Sequence, residues 1–178
     1  RPLDDPVAVD AANGVRQPYA YLHCAPFAYR EPVPAGTLDE LPPWAAQLLE
    51  SERVAHLGLV DDEGRPRVLP VTFAVVDGCV WTAVDDKPKR RPDAELARVR
   101  WLRARRRASL TVDRYDDDWT RLAWVQVLGD ADVVAIDFHP RVVDALARRY
   151  VPYRRATPPG PLLRLEPARV VSWRAAAD

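Results

Sequence analysis

The sequence predicts a mainly β fold: an antiparallel β-barrel of about six strands with helices inserted. Three observations lead there. Strand-like runs follow one another in hairpin order, Asp-Gly and Asp-Glu-Gly turn signals separate them, and helical stretches do not alternate regularly with strands as a parallel doubly wound sheet requires.

Residues 1–36 are rich in proline, alanine and glycine, and Pro18, Pro26, Pro32 and Pro34 interrupt any helix or central strand. They read as an N-terminal arm set apart from a barrel domain at 37–178. Tyr19, Tyr21, Phe27 and Tyr29 of the arm are available to pack on the body or on a partner, and a poorly ordered tail is the alternative. Pro43 fits the first turn of a helix that runs to Glu52, with Trp44, Leu48 and Leu49 on one face. Arg53 to Val60 is a strand that ends at Asp61-Asp62-Glu63-Gly64. Arg67 to Val76 alternates, placing Leu69, Val71, Phe73 and Val75 on one side, and Asp77-Gly78 turns it into a strand from Cys79 to Val84.

Asp93 can cap a helix to Ala104 with Leu96, Val99 and Leu102 inward and arginines near its C-terminal end. Ala108 to Tyr115 is a strand, and Leu122 to Ile136 a longer one with a bulge or bend at Gly129-Asp130. Pro140 opens a helix with Val143, Leu146, Ala147 and Tyr150 on one face. A connector holding Pro152, Pro158, Pro159 and Pro161 leads to a last strand, Leu162 to Trp173.

The chain of 178 residues carries no net charge, which argues against a general nucleic-acid or acidic-membrane binder. Its cations are unevenly placed. Residues 86–107 hold ten cations against Asp86, Asp93 and Glu95, so an anionic partner is expected along that segment. Of 26 basic residues only Lys87 and Lys89 are lysines, and they bracket Pro88. Either this is a chance solvated turn or it is a built anion grip.

Other chemistries find little support. Seven scattered glycines make no phosphate-binding loop, and Ser51, Ser109 and Ser172 sit in no nucleophile elbow. His23, His56 and His139 are far apart, and His23-Cys24 on an extended arm point away from each other. No metal site is expected; Asp116-Asp117-Asp118 reads as a solvated turn, with a hard-cation site as the alternative. The arginines from Arg98 to Arg107 suit a solvated helix face or a contact to nucleic acid. Cys24 and Cys79 form no disulfide framework, no apolar run could span a bilayer, and the opening residues lack a signal-peptide pattern, so a cytoplasmic location is expected.

The run from Arg53 to Tyr115 carries a family likeness. Arg53-Val54-Ala55-His56-Leu57-Gly58-Leu59-Val60-Asp61 resembles the first strand of pyridoxamine-phosphate-oxidase-like, FMN-binding split barrels. Gly64-Arg65-Pro66-Arg67-Val68-Leu69-Pro70-Val71-Thr72-Phe73 is similar to the second strand of the actinobacterial branch that uses the deazaflavin F420. Thr82-Ala83-Val84-Asp85-Asp86-Lys87-Pro88-Lys89-Arg90 resembles that branch's third strand and phosphate turn. Arg107 to Asp113 is similar to its fourth strand, and Tyr115-Asp116-Asp117-Asp118-Trp119 to its characteristic loop. The likeness spans residues 41–173 and leaves the arm unexplained.

The resemblance implies a homodimer with a cofactor site at the subunit interface, F420 as the ligand and FMN as the alternative. It places Leu69, Pro70, Val71 and Thr72 beside the tricyclic ring, and Thr82 and Ala83 against the ring or its ribityl chain. It puts Lys87, Lys89 and Arg90 on the phosphate, and Trp119 and Arg121 on the substrate side, from the neighbouring subunit if not their own. Arg65, Arg67 and Arg91 are further cations for the longer acidic tail of F420. The activity implied is hydride transfer between the cofactor and a small organic substrate, with a non-catalytic cofactor carrier or sensor as the alternative. Composition adds one point of its own: Pro70 lacks a ladder donor and therefore belongs on an edge strand or a bulge.

Overall fold

A computed structural model describes residues 31–85 and 96–175. The strands are β1 (Val33–Ala35), β2 (Ala55–Val60), β3 (Pro66–Val71), β4 (Ala74–Val76), β5 (Cys79–Ala83), β6 (Arg107–Arg114), β7 (Ala123–Val134) and β8 (Leu162–Arg174). The helices are α1 (Pro43–Ser51), α2 (Ala97–Ala104), α3 (Pro140–Arg149) and α4 (Val151–Arg155), with short 3-10 turns at Leu38–Glu40, Trp119–Arg121 and Ile136–Phe138.

Every strand pairing is antiparallel, in the order β3-β2-β6-β7-β8-β5-β4, with β1 also on β8. β3 and β4 stand at opposite ends of that order, yet only Thr72 and Phe73 separate them in the chain. Three Cα steps span at most roughly 11 Å, so the sheet must coil until its edges approach. No ladder joins β3 to β4, and the coiled sheet stays unclosed: a split barrel.

Local chemistry sets the turns. Asp77 (φ 51°) and Gly78 (φ 70°) take the left-handed pair of angles that a two-residue hairpin needs between β4 and β5. Between β2 and β3 the Asp61 carboxylate, 2% exposed, accepts from the Glu63 amide (3.0 Å), the Arg65 amide (2.9 Å) and Arg65 Nε (3.0 Å). Its burial works to raise the pKa, but the Arg65 and Glu63 hydrogen bonds outweigh that and hold it below the ordinary carboxylate range.

The interior divides in two, and β5 is the partition. Val80 of β5 faces a large core with Leu57, Leu110, Val125, Val127 and Val170, roofed by Leu48 and Leu49 of α1 and by Val99 and Leu102 of α2. Cys79, Trp81 and Ala83 face a second core with Val142, Leu146, Tyr150 and Tyr153. A strand buried on both faces cannot alternate polar with apolar residues, and β5 does not.

Several expectations change. The alternating run at 67–76 is two strands, because Thr72 and Phe73 carry the chain between sheet edges, and Val75 is 39% exposed. This split and the added strand Val33–Ala35 bring the strands among the described residues to eight rather than about six. Val33–Ala35 of the arm adds to the flank of β8 as a three-residue strand, short enough to tolerate Pro34. The ladder irregularity falls at Leu128/Gly129, one residue before the expected Gly129-Asp130, and the extra residue is Ala168 of β8. Gly129 is required there, since a Cβ would run into the Glu166 carbonyl. The buried face of α3 runs through Val142, Leu146 and Tyr150, with Val143 and Ala147 only half-buried, and the connector contains α4, with Pro152 in its first turn. α2 starts after Leu96, and Asp93 lies outside the described residues.

Candidate functional site

The unclosed seam is held by side chains where backbone pairing stops. The Phe73 amide donates to the Tyr150 hydroxyl at 2.9 Å, and that hydroxyl lies 3.1 Å from Phe73 O and 3.0 Å from Arg53 O, to one of which it donates at a time. Thr72 Oγ1 and the Tyr153 hydroxyl are hydrogen-bonded at 2.9 Å. The two tyrosine rings meet edge to face with centroids 5.7 Å apart. Arg149, one residue before Tyr150, donates to Leu49 O (3.0 Å) and Glu52 O (2.6 Å) at the end of α1 and lies 4.5 Å over the Phe73 ring. The end of a helix has unpaired carbonyls, so this cation both caps α1 and clamps the seam to it.

A cavity of about 450 Å³ opens against this seam. Thr72, Tyr150 and Tyr153 form one wall, Asp85 beyond the end of β5 another, and Pro152 with Thr157, Pro158 and Pro159 the rest. Gly160 pins that proline-rich wall to β5: its amide donates to Val84 O at 3.2 Å, the Val84 amide donates to Pro161 O at 3.0 Å, and a Cβ on Gly160 would sit 2.6 Å from Val84 Cβ.

The residues expected at a site distribute as follows. Leu69 is half-buried, Pro70 is exposed opposite His56 on edge strand β3, Val71 is buried, and Thr72 borders the cavity. Thr82 and Ala83 are both buried (5% exposed each) in β5 just before Asp85. Lys87, Lys89, Arg90 and Arg91 lie outside the described residues, as do His23 and Cys24. The structure thus brings Thr72 together with the end of β5.

It does not bring Trp119 and Arg121 there. Trp119 is 51% exposed, and Arg121 lines a different cavity with Arg114, Arg174 and Trp44, which shares no lining residue with the seam cavity. Arg65 and Arg67 lie 3.0 and 3.6 Å from Asp61. In α2 and just beyond it, Arg100 pairs with Asp62 (2.7 Å), Arg106 with Asp132 (2.9 Å) and Arg107 with Asp130 (3.4 Å). In the acidic loop, Asp118 accepts from the Thr120 hydroxyl (2.7 Å) and amide (3.1 Å), and Asp116 accepts from the Asp118 amide (3.0 Å). Among the described residues no group of three or more His, Cys, Asp or Glu could hold a metal ion, and no helix is long and apolar enough to cross a membrane. The sequence reading missed Tyr150 and Tyr153 as site residues. The only signal was their spacing, three apart on either side of Pro152, which reads equally as packing.

Fold and seam together define a split barrel with a cavity where its edges fail to pair. The chain belongs to the pyridoxamine 5'-phosphate oxidase family, whose model matches residues 41–174. No curated protein matches the sequence. Solved structures share the fold at low identity. A conserved hypothetical protein from Mycobacterium tuberculosis superimposes with a TM-score of 0.61 at 20% identity, covering 79% of this chain and 88% of that one. A FAD-binding protein from Mesorhizobium loti gives 0.56 at 22%, covering 77% and 96%. HutZ, the heme storage protein from Vibrio cholerae, gives 0.56 at 15%, covering 76% and 94%.

Proposed function

We propose that this protein is an oxidoreductase that binds the deazaflavin F420, with FMN as the alternative ligand, and exchanges a hydride with a small organic substrate. One observation carries the reading: Thr72, at the end of edge strand β3, and Asp85, at the end of β5, border one cavity. Lys87 follows Asp85 by two residues, so chain length alone holds their Cα atoms within roughly 7 Å.

The residues fit a planar cofactor with an acidic tail. About 450 Å³ lies in the usual range of small-molecule sites, and tyrosine and proline walls suit a ring. The cavity's own charged group is Asp85, so a phosphate belongs outside it, on Lys87, Lys89 and Arg90. When bound, the cofactor supplies the two-electron chemistry. The protein's part is to hold the tail by charge-assisted hydrogen bonds and to offer the Leu69–Thr72 edge to the ring. In this reading Thr82 and Ala83 lie in buried β5 behind the ring, with Ala83 on the face toward Tyr150 and Tyr153. Trp119 and Arg121 reach such a site only from the second subunit of a homodimer.

A non-catalytic carrier is the second reading, favoured by the fact that both tyrosine hydroxyls at the cavity are already committed to hydrogen bonds at the seam.

Titration of the purified protein with F420 and FMN tests the reading. One of them binds at micromolar affinity or better, and Lys87→Ala weakens it by about tenfold or more. If neither binds, or if Lys87→Ala binds as the parent does, the proposal fails. Turnover of an electrophile panel with reduced F420 separates enzyme from carrier, and light scattering reads the subunit count.

A further inference from the structure

The barrel end roofed by α1 holds a second cavity of about 450 Å³, and its wall is built from one cross-strand row. Arg114 of β6 pairs with Ala123 of β7, which pairs with Arg174 of β8. The small central residue leaves space between two arginine stems. Trp44 and Leu48 of α1 close one side, and Thr120, Arg121 and Leu122 close another.

The charges there do not balance. Arg114 donates twice to Glu52 Oε1 (3.0 and 2.9 Å) and once to Ser51 Oγ (2.9 Å). Arg121 lies 3.2 Å from Asp116. Arg174 lies 5.2 Å over the Trp44 ring and faces no carboxylate among the described residues. Among the described residues three cations thus meet two anions. The surplus charge is a guanidinium fork beside an aromatic face and apolar side chains. Such a fork takes a carboxylate through two parallel hydrogen bonds while its stem and the indole cover a flat carbon skeleton. Gln47, also lining the cavity, makes no hydrogen bond among the described residues and can donate to the ligand.

We propose that this cavity is a second binding site, for a small planar organic monocarboxylate held by Arg174 against Trp44. One negative charge matches the one unpaired cation, whereas a phosphate dianion would place its second charge against the Glu52 and Asp116 carboxylates. Within one chain it shares no lining residue with the seam cavity, although Arg121, which lines it, is also the residue that the proposed homodimer would bring to the partner's cofactor.

Benzoate is the probe, with benzyl alcohol as its neutral counterpart and inorganic phosphate as the competing anion, each titrated into the full chain by calorimetry. Benzoate binds saturably at one site per chain, and each comparator binds at least tenfold more weakly. Arg174→Gln, at an exposed position, weakens benzoate by at least tenfold with an unchanged melting temperature, and the Trp44 indole resonance, assigned with Trp44→Phe, moves on titration. Absence of benzoate binding overturns the proposal, as does equal binding of benzyl alcohol, stronger binding of phosphate, or an indifferent Arg174→Gln. Lys87→Ala leaves benzoate affinity unchanged, so failure of the cofactor reading and failure of this one are separately visible.

Discussion

The wall formed by β6, β7 and β8 and the seam between β3 and β4 are held together by different means. Along the wall, β7 pairs with β8 over its whole length and with β6 from Ala123 to Asp130, and the interruption at Gly129 is accommodated within the backbone by one extra residue in β8. At the seam no ladder forms, and two tyrosine hydroxyls from α3 and its continuation make the hydrogen bonds that strands would otherwise make. The wall satisfies its backbone through its own ladders, and the cavity against it is shaped by the side chains of one cross-strand row. The seam leaves backbone edges to be satisfied by side chains, and a pocket opens beside them. One cavity of this barrel opens where pairing fails, and another where a small residue separates two arginines on a paired wall.

Changes on either side test that contrast. The largest effect belongs to the wall: Gly129→Ala forces a Cβ against the Glu166 carbonyl and destabilises the fold by about 3 kcal/mol. Thermal unfolding should show a drop of roughly 10 °C; a change within experimental scatter would mean that the ladder yields as readily as the seam does. Tyr150→Phe comes next. It leaves the buried Phe73 amide without its acceptor, at a cost of about 2 kcal/mol. Hydrogen exchange at Phe73 should accelerate while the β7 amides stay protected. Uniform acceleration would show that the seam is no separate unit.

The smallest effect lies in the loop that enters the wall. The Thr120 hydroxyl, then its amide, hold the Asp118 carboxyl below the ordinary carboxylate range. A depressed folded-state pKa stabilises above the unfolded value and loses that contribution as pH falls through the folded value. The Thr120 amide shift should therefore titrate with a midpoint below the ordinary aspartate value of about 3.9. Asp118→Asn should abolish that step, and a midpoint well above pH 4 would refute the assignment.

Several turns and helix starts were legible because their signals are local. Asp77-Gly78, Pro43 and Pro140 mark turns and helix starts by backbone chemistry that needs no tertiary partner, and all three were read correctly. The break at Thr72-Phe73 was not legible. Leu69, Val71 and Phe73 keep their alternation through the break, so periodicity carries no trace of the crossing from one sheet edge to the other. The candidate site was legible only in part for the same reason. Pro70 announced an edge strand by its missing N–H, and Thr72 came with the family likeness. Tyr150 and Tyr153 reach the seam from some eighty residues away, a distance over which no sequence window can relate them. The Arg114–Ala123–Arg174 row likewise exists only once β6, β7 and β8 are in register.

The placement of β8 bears on how the molecule comes into being. It is the last strand in chain order, yet β7, β5 and β1 all pair with it. During synthesis from the N-terminus, those three strands emerge with open edges and wait for a partner still to be made. Such edges are templates for mispairing between chains. Completion of the sheet therefore waits for β8, the strand that three others share.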